Sequence, residues 1–337
     1  MRFRKKALYF CLLLLGLGFL GVVVLPTRTL LLASTLKDLE AAGFSGGILI
    51  ANGERVIVKE GYGFSSCEDV VANTADTIYA IGSVTKMFAA AAIGQLDAAG
   101  LLNIDDPISL YLEDLPGDKA NITIKQLLTH TSGLRSYHET QELGDFEAMT
   151  RDRAFEEIMG RPLRFAPGSK EKYSNSGYTL LAMLIEKVSG LAYTDYIRER
   201  ILIPAGMTST GFWGESFPAV ASTPNRILGC SSPDTWEYSW VLVGNGGMVS
   251  TISDMHRWVL ALQGESVLSE PAKQRLGFDQ RMRSGFSDAG GSSQHEFNAS
   301  ITYAQPSGRI VVAISNRNKV RAEKISDKLL RAALHEQ

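Results

Sequence analysis

Strand-like sequence is confined to the two ends of this 337-residue chain, and that placement limits the fold more than any single motif does. Near the start, Gly47-Ile-Leu-Ile-Ala51 and Glu54-Arg-Val-Ile-Val-Lys59 flank Asn52-Gly53. An Asn-Gly pair suits the positive φ angles of a tight type I′ turn, so the segment predicts a hairpin. Near the end, residues 299–303 and 309–314 flank Pro306-Ser-Gly308 and predict a second hairpin, followed by a closing helix over 321–335. A short helix over 34–42, with Leu36 and Leu39 inward, precedes the first hairpin. Between the ends the pattern is mainly helical. Thr123-x-x-Gln126 reads as a capping box, in which each side chain satisfies the other residue's unpaired backbone N–H. Residues 178–188 carry an apolar stripe that Gly190 ends, and a helix over 195–203 stops at Pro204. The expected architecture is α+β, an α/β sandwich. Its antiparallel sheet is built from both chain ends with flanking helices, and a mainly helical region is inserted between them. The expected domain covers residues 34–337, with its sheet region at 34–90 and 270–337 and its helical region at 91–269.

The first 33 residues read as a membrane anchor or signal segment. Arg2, Arg4, Lys5 and Lys6 precede an apolar run over 7–25, long enough to just span a bilayer. Cations before the span and none directly after it predict a cytoplasmic N-terminus and an exported domain. No clear small-x-small cleavage site follows, so an uncleaved anchor is the preferred expectation, with a cleaved, secreted form as the alternative. Without those four cations the chain has 30 Lys+Arg against 36 Asp+Glu, a charge of about −6 that does not favour a nucleic-acid partner. Cys11 falls inside the apolar run. Cys67 and Cys230 are far apart and lie in no metal-ligand spacing; they are expected as two separate thiols, although an oxidising compartment would permit a disulfide.

Ser83-Val-Thr-Lys86 places a hydroxyl and an amine three residues apart, where a turn enters an alanine-rich helix. At that spacing both side chains share one helical face. A serine hydroxyl is a weak nucleophile until a base takes its proton, and a lysine whose pKa is depressed by burial can be that base. Over residues 87–99 the only charge is Asp97, so the helix is expected to be buried all round. A lysine at its start then needs a partner, unless it snorkels to solvent from the helix end. Tyr173-Ser-Asn175 supplies a second polar group of the same kind. A loop tyrosine can shuttle a proton beside a cation, and an asparagine two residues on can bind an amide or ester.

Ser83-Val-Thr-Lys86 and Tyr173-Ser-Asn175 occur together with Leu127-Leu-Thr-His-Thr-Ser-Gly-Leu134, Phe165-Ala-Pro-Gly168 and Gly246-Gly-Met-Val-Ser-Thr-Ile-Ser-Asp254. As an ordered set over residues 44–320 they resemble the serine β-lactamase and penicillin-binding-protein superfamily. The branch they resemble contains class C β-lactamases, D-alanyl-D-alanine carboxypeptidases and related esterases. The resemblance implies a β-lactamase/transpeptidase-like fold and an acyl-enzyme mechanism without metal or organic cofactor. Ser83 is then the nucleophile, Lys86 its activator and Tyr173 a partner in the proton shuttle. Asn175 binds the substrate amide, the Ser83 N–H forms half of an oxyanion hole, and His130 has a packing role.

One motif of the superfamily is altered. Where a strand usually reads Lys or His, a small residue and Gly, the best register here is Asp288-Ala-Gly290. Gly291 would still supply the second oxyanion N–H from its backbone. A carboxylate in place of the cation changes the interaction with an anionic substrate by about 1–4 kcal/mol at intermediate dielectric, which disfavours efficient β-lactam hydrolysis. Arg283 and His295 are the nearby cations that a shifted register would bring in. The sequence therefore predicts a serine hydrolase acting on a small ester, amide or peptide, of esterase or D-Ala-D-Ala-peptidase type. The alternative is a catalytically weak relative that binds peptide or cell-wall fragments.

Overall fold

The computed structural model describes residues 27–68, 70–137, 144–225, 227–277, 286–287, 296–305, 307–317 and 321–334. The chain begins with α1 (Thr27–Ala41), β1 (Gly46–Asn52), β2 (Arg55–Tyr62) and β3 (Tyr79–Ala80). A 3-10 turn over Gly82–Thr85 leads directly into α2 (Lys86–Ala98). The middle of the chain holds α3 (Ile124–Leu128), α4 (Arg151–Met159), α5 (Asn175–Ser189) and α6 (Tyr193–Ile197), which continues as a π-helical turn over Arg198–Leu202. Then come β4 (Gly211–Phe212), β5 (Thr223–Asn225), β6 (Gly229–Ser231), β7 (Met248–Ser250), α7 (Ile252–Gln263) and α8 (Glu270–Leu276). Last are β8 (Phe286–Ser287), β9 (Asn298–Ala304), β10 (Arg309–Ser315) and α9 (Ala322–Leu334).

The two terminal hairpins join as expected. The main sheet runs β2-β1-β10-β9-β8, and β1 pairs antiparallel with β10 along its whole length, from Gly46↔Ser315 to Asn52↔Arg309. Side chains alternate across a strand, so β1 serves two cores. Ile48 and Ile50 meet Leu32, Leu39, Ile325 and Leu329 of α1 and α9, while Leu49 and Ala51 face the larger core containing α2, α5 and α7. The capping box at Thr123 and the helix ending at Gly190 also form.

Three local expectations change. The first helix begins at Thr27 rather than near residue 34, because Leu32 joins Leu39 in packing against α9. The central region also contains a three-stranded sheet, β3-β7-β4, and the β5-β6 ribbon. Their strands are two or three residues long, too short for an alternating pattern to show. The third change corrects the two-thiol expectation: Cys67 and Cys230 form a disulfide, with Cα atoms 6.0 Å apart. The pairing arises because the loop after β2 and the β5-β6 ribbon meet at the same end of the main sheet, where Cys67 N–H donates to Ser222 Oγ at 3.0 Å.

Asn316 locks that end together. Its Nδ2 donates to the carbonyls of Phe64 and Ser222 at 3.0 and 2.9 Å, and its Oδ1 accepts from Ser45 Oγ at 2.9 Å. Asn73 Nδ2 donates to Ser45 Oγ as well, and Tyr79 OH donates to Asn73 Oδ1. Asn316→Ala leaves several buried groups unpaired, and each orphaned group costs about 1–3 kcal/mol. The expected loss is about 2–4 kcal/mol in urea unfolding; a change below about 0.5 kcal/mol would show the network to be dispensable.

Among the described residues no helix is long and apolar enough to cross a membrane. The apolar run over 7–25, and with it the expected anchor and Cys11, lies outside them.

Candidate active site

The main sheet and the small sheet together position the nucleophile. Tyr79–Ala80 pairs with β7, and Ile81 N–H then donates to Met248 O at 3.0 Å. Gly82 follows at φ +50°, a left-handed conformation that favours glycine, and turns the chain into the 3-10 segment that carries Ser83. Residues three apart eclipse in a 3-10 turn. Lys86 therefore comes over Ser83, with Nζ donating to Oγ at 2.9 Å.

Tyr173 arrives from the opposite wall. Its OH lies 2.5 Å from Ser83 Oγ, and its ring centroid lies 4.8 Å from Lys86 Nζ. The loop carrying it is fixed by His130, which adopts φ +57°. The His130 carbonyl accepts from Lys172 N–H at 2.9 Å, and its Nδ1 accepts from Ser174 N–H at 3.3 Å. The imidazole also packs against the rings of Tyr173 and Tyr178, with centroids 4.7 and 5.2 Å away.

The Lys86 amine is only 6% exposed by residue, whereas Tyr173 is 47% exposed, so the site is dry at its floor and open at its mouth. Besides Ser83, Lys86 Nζ donates to the backbone carbonyl of Asn245 at 2.6 Å. The ring of buried Tyr178 stands 5.8 Å away on another side. Asn175 opens α5, and its N–H donates to Ser136 Oγ at 3.4 Å. Its Oδ1 is buried and has no hydrogen-bond partner among the described residues. An arrangement of this kind can move a proton between serine, amine and phenol while Asn175 Oδ1 accepts from an incoming N–H.

Three of the seven sequence-derived site residues, Ser83, Lys86 and Tyr173, are thus brought into contact, and Asn175 follows Tyr173 by two residues at the start of α5. Asp288, Gly290 and Gly291 lie outside the described residues, as do Arg283 and His295. They follow or flank β8, the strand that hydrogen-bonds to β9 through Phe286↔Ile301 and Ser287↔Ser300 and packs beside the 3-10 turn. Asn245 was not anticipated from the sequence. Its only local signal is an asparagine set among glycines, Gly244-Asn-Gly-Gly247, immediately before a strand. A separate cleft of about 650 Å³ opens at the far end of α2, lined by Asp97, Asn103, Tyr111 and Arg275. None of the Ser83 group lines it, and Arg275 there bonds Asp97 and Asn103 across the junction of α2 and α8, a structural contact.

The sequence profile of the family described as Beta-lactamase matches residues 32–331. The chain belongs to the beta-lactamase family. It is a serine hydrolase of the beta-lactamase-related type. Among curated relatives it is 30% identical over 306 residues to the "Putative penicillin-binding protein PbpX" of Bacillus subtilis, covering 86% of this chain and 75% of that protein. "Penicillin-binding protein 4*" of the same organism is 27% identical over 276 residues, which are 72% of this chain and 57% of the relative. The family fold is also that of a solved D-amino acid amidase from Ochrobactrum anthropi complexed with D-phenylalanine. That structure matches with TM-score 0.76 and 22% identity, over 92% of this chain and all of the other.

Proposed function

We propose that this beta-lactamase family member is a membrane-tethered, extracytoplasmic hydrolase that opens an ester or amide through an acyl-enzyme at Ser83. The observation that carries the proposal is the placement of Ser83 Oγ within hydrogen-bond distance of both Lys86 Nζ and Tyr173 OH. Ser83 Oγ attacks the substrate carbonyl and its proton passes to the Lys86–Tyr173 pair. Tyr173, at the open mouth, returns a proton to the departing alcohol or amine. Water then attacks the acyl-enzyme, and the same groups take and return its proton. The Oδ1 of Asn175, which has no partner among the described residues, suits an acyl side chain that carries an amide N–H, the pattern of a peptide or N-acyl amino acid. The fold relative complexed with D-phenylalanine is in keeping with a substrate of amino-acid type. The apolar run over 7–25, ending just before α1, supports the tether.

The substrate is of esterase or D-Ala-D-Ala-peptidase type rather than an efficiently hydrolysed β-lactam, because Asp288 stands where the superfamily places a cation. Labelling the exported domain with a fluorophosphonate and a fluorescent penicillin, beside Ser83→Ala, tests the proposal. The expected result is Ser83-dependent fluorophosphonate labelling with slow penicillin acylation; folded protein that takes neither label would overturn it. Asp288→Lys is expected to speed penicillin acylation about tenfold to several hundredfold, following the Coulomb estimate. An unchanged rate would remove Asp288 as the determinant.

A further inference from the structure

The amide side chain of Asn245 is buried at 2% exposure, and it is the residue's backbone carbonyl that accepts from the Lys86 amine. Its Nδ2 lies within hydrogen-bond distance of Thr179 Oγ1 at 2.9 Å, Tyr137 OH at 3.0 Å and Val241 O at 2.9 Å, acceptors that share its two N–H groups. Tyr137 OH in turn lies 2.8 Å from Thr179 Oγ1 and donates to Val241 O. Burial pushes the Tyr137 phenol above its ordinary pKa, so it remains a neutral donor. Thr179 and Tyr137 are fully buried and come from separate elements, the second turn of α5 and the loop after α3. Thr179 Oγ1 also reaches the carbonyl of Asn175, at 3.5 Å.

The backbone around Asn245 is correspondingly constrained. Gly244 and Gly247 adopt φ +78° and +71°. A Cβ at Gly244 would lie 2.5 Å from Tyr178 O, and one at Gly247 would lie 2.7 Å from the Tyr238 ring. A loop with two left-handed glycines has many alternative conformations, and the side-chain cage selects one.

We infer that Asn245 is a positioning residue: its side-chain amide, caged by Tyr137, Thr179 and Val241 O, holds its own carbonyl where that carbonyl fixes the Lys86 amine against Ser83. This rests on the serine-hydrolase reading and adds a residue to it. One N–H of Lys86 is committed to the Asn245 carbonyl, which restricts the directions in which the amine can meet the Ser83 hydroxyl. Without the cage the carbonyl is still present but free to turn away. An aspartate cannot substitute, because its carboxylate would face Val241 O with no donor to offer. The same cage ties the floor of the site to the start of α5, so the groups that hold Lys86 and Asn175 move as one unit.

The test is the rate of fluorophosphonate labelling of Ser83 in the full chain, measured across pH for wild type, Asn245→Ala and Thr179→Val. Thr179→Val changes no atom that touches Lys86 and keeps the side-chain shape, so it remains informative if Asn245→Ala does not fold. Asn245→Ala is expected to slow labelling about 10–100-fold, the scale of an ångström-level misplacement, and Thr179→Val to slow it about 3–10-fold. A carbonyl acceptor favours the ammonium form, so weakening it lowers the Lys86 pKa and moves the acid limb of the profile to lower pH. Among the described residues, Tyr173 and Tyr178 are titratable groups that stand against the amine, with His130 behind them, and all are unchanged in the variants. Folded variants that label at the wild-type rate, or more slowly with an unmoved acid limb, would overturn the inference, the second result leaving a packing role only. A wild-type protein that takes no label, while Lys86 variants fold, would remove the hydrolase reading and this inference with it.

Discussion

Lys86→Met is expected to silence hydrolysis while leaving the fold at least as stable as before. The amine lies on the buried face of α2 and is held by the Ser83 hydroxyl and the Asn245 carbonyl. A buried charge is costly to desolvate, and replacing one by an apolar side chain of similar length is often neutral or stabilising. The chemistry responds in the opposite direction, because a serine without its activating base loses a factor of about a thousand or more in turnover. Ser83→Ala is expected to reach the same floor, and the double variant no lower, since residues acting as a unit do not contribute additively. Lys86→Arg does not rescue, because a guanidinium stays protonated at any working pH. The measurements are hydrolysis of a p-nitrophenyl ester and thermal unfolding of the same preparations. A Lys86→Met protein that loses several kcal/mol of stability would mark the lysine as structural, and one that retains turnover would place the base elsewhere.

The second large effect concerns stability. Removing the Cys67–Cys230 disulfide is expected to cost about 2–5 kcal/mol, because the bond closes a loop with a sequence separation of 163. The loss is expected to be felt first in the β5-β6 ribbon, whose three-residue strands are too short to persist alone. The turn bonds from Ile227 and Leu228 N–H to Asn225 Oδ1, at 2.8 and 3.0 Å, the Ser222 contacts, the Thr223 bond to the Asn316 carbonyl and the Trp236 bond to Ser231 would then hold it. Urea unfolding of the Cys67→Ser/Cys230→Ser variant, with and without reductant for the wild type, measures the effect. A midpoint that does not move would show that Asn316 alone secures this end of the sheet. Ester turnover at low temperature is expected to survive the double substitution, since neither cysteine contacts the Ser83 group.

The chemistry of the site was legible because it is written in side chains at short spacing. Ser83 and Lys86 sit three residues apart, and a buried alanine-rich helix after them demanded a partner for the amine. Tyr173 and Asn175 were legible only in company. They lie 90 residues and more from Ser83, and a Tyr-Ser-Asn triplet acquires meaning through the ordered set of motifs around it. Asn245 was not legible at all. What it offers Lys86 is a backbone carbonyl, which every residue has, and its side chain matters through the dry cage that Tyr137 and Thr179 close around it. The sequence placed a turn ahead of the alanine-rich helix without its type; the tighter 3-10 winding is what stacks Lys86 over Ser83.

The sequence by itself determined the two terminal hairpins, the capping box at Thr123, the buried helix behind Ser83 and the identity of the polar groups available for acyl transfer. Each of these depends on contacts within a few residues, where turn geometry, capping and periodicity act directly. Only the tertiary structure decided that Cys67 meets Cys230, that Asn316 binds the loops from both ends, and that the Asn245 carbonyl receives the Lys86 amine. Those contacts join residues 163, more than 90 and 159 positions apart. They exist because β1 pairs with β10 and β3 with β7, and no local preference of the chain encodes which loops such pairings bring together.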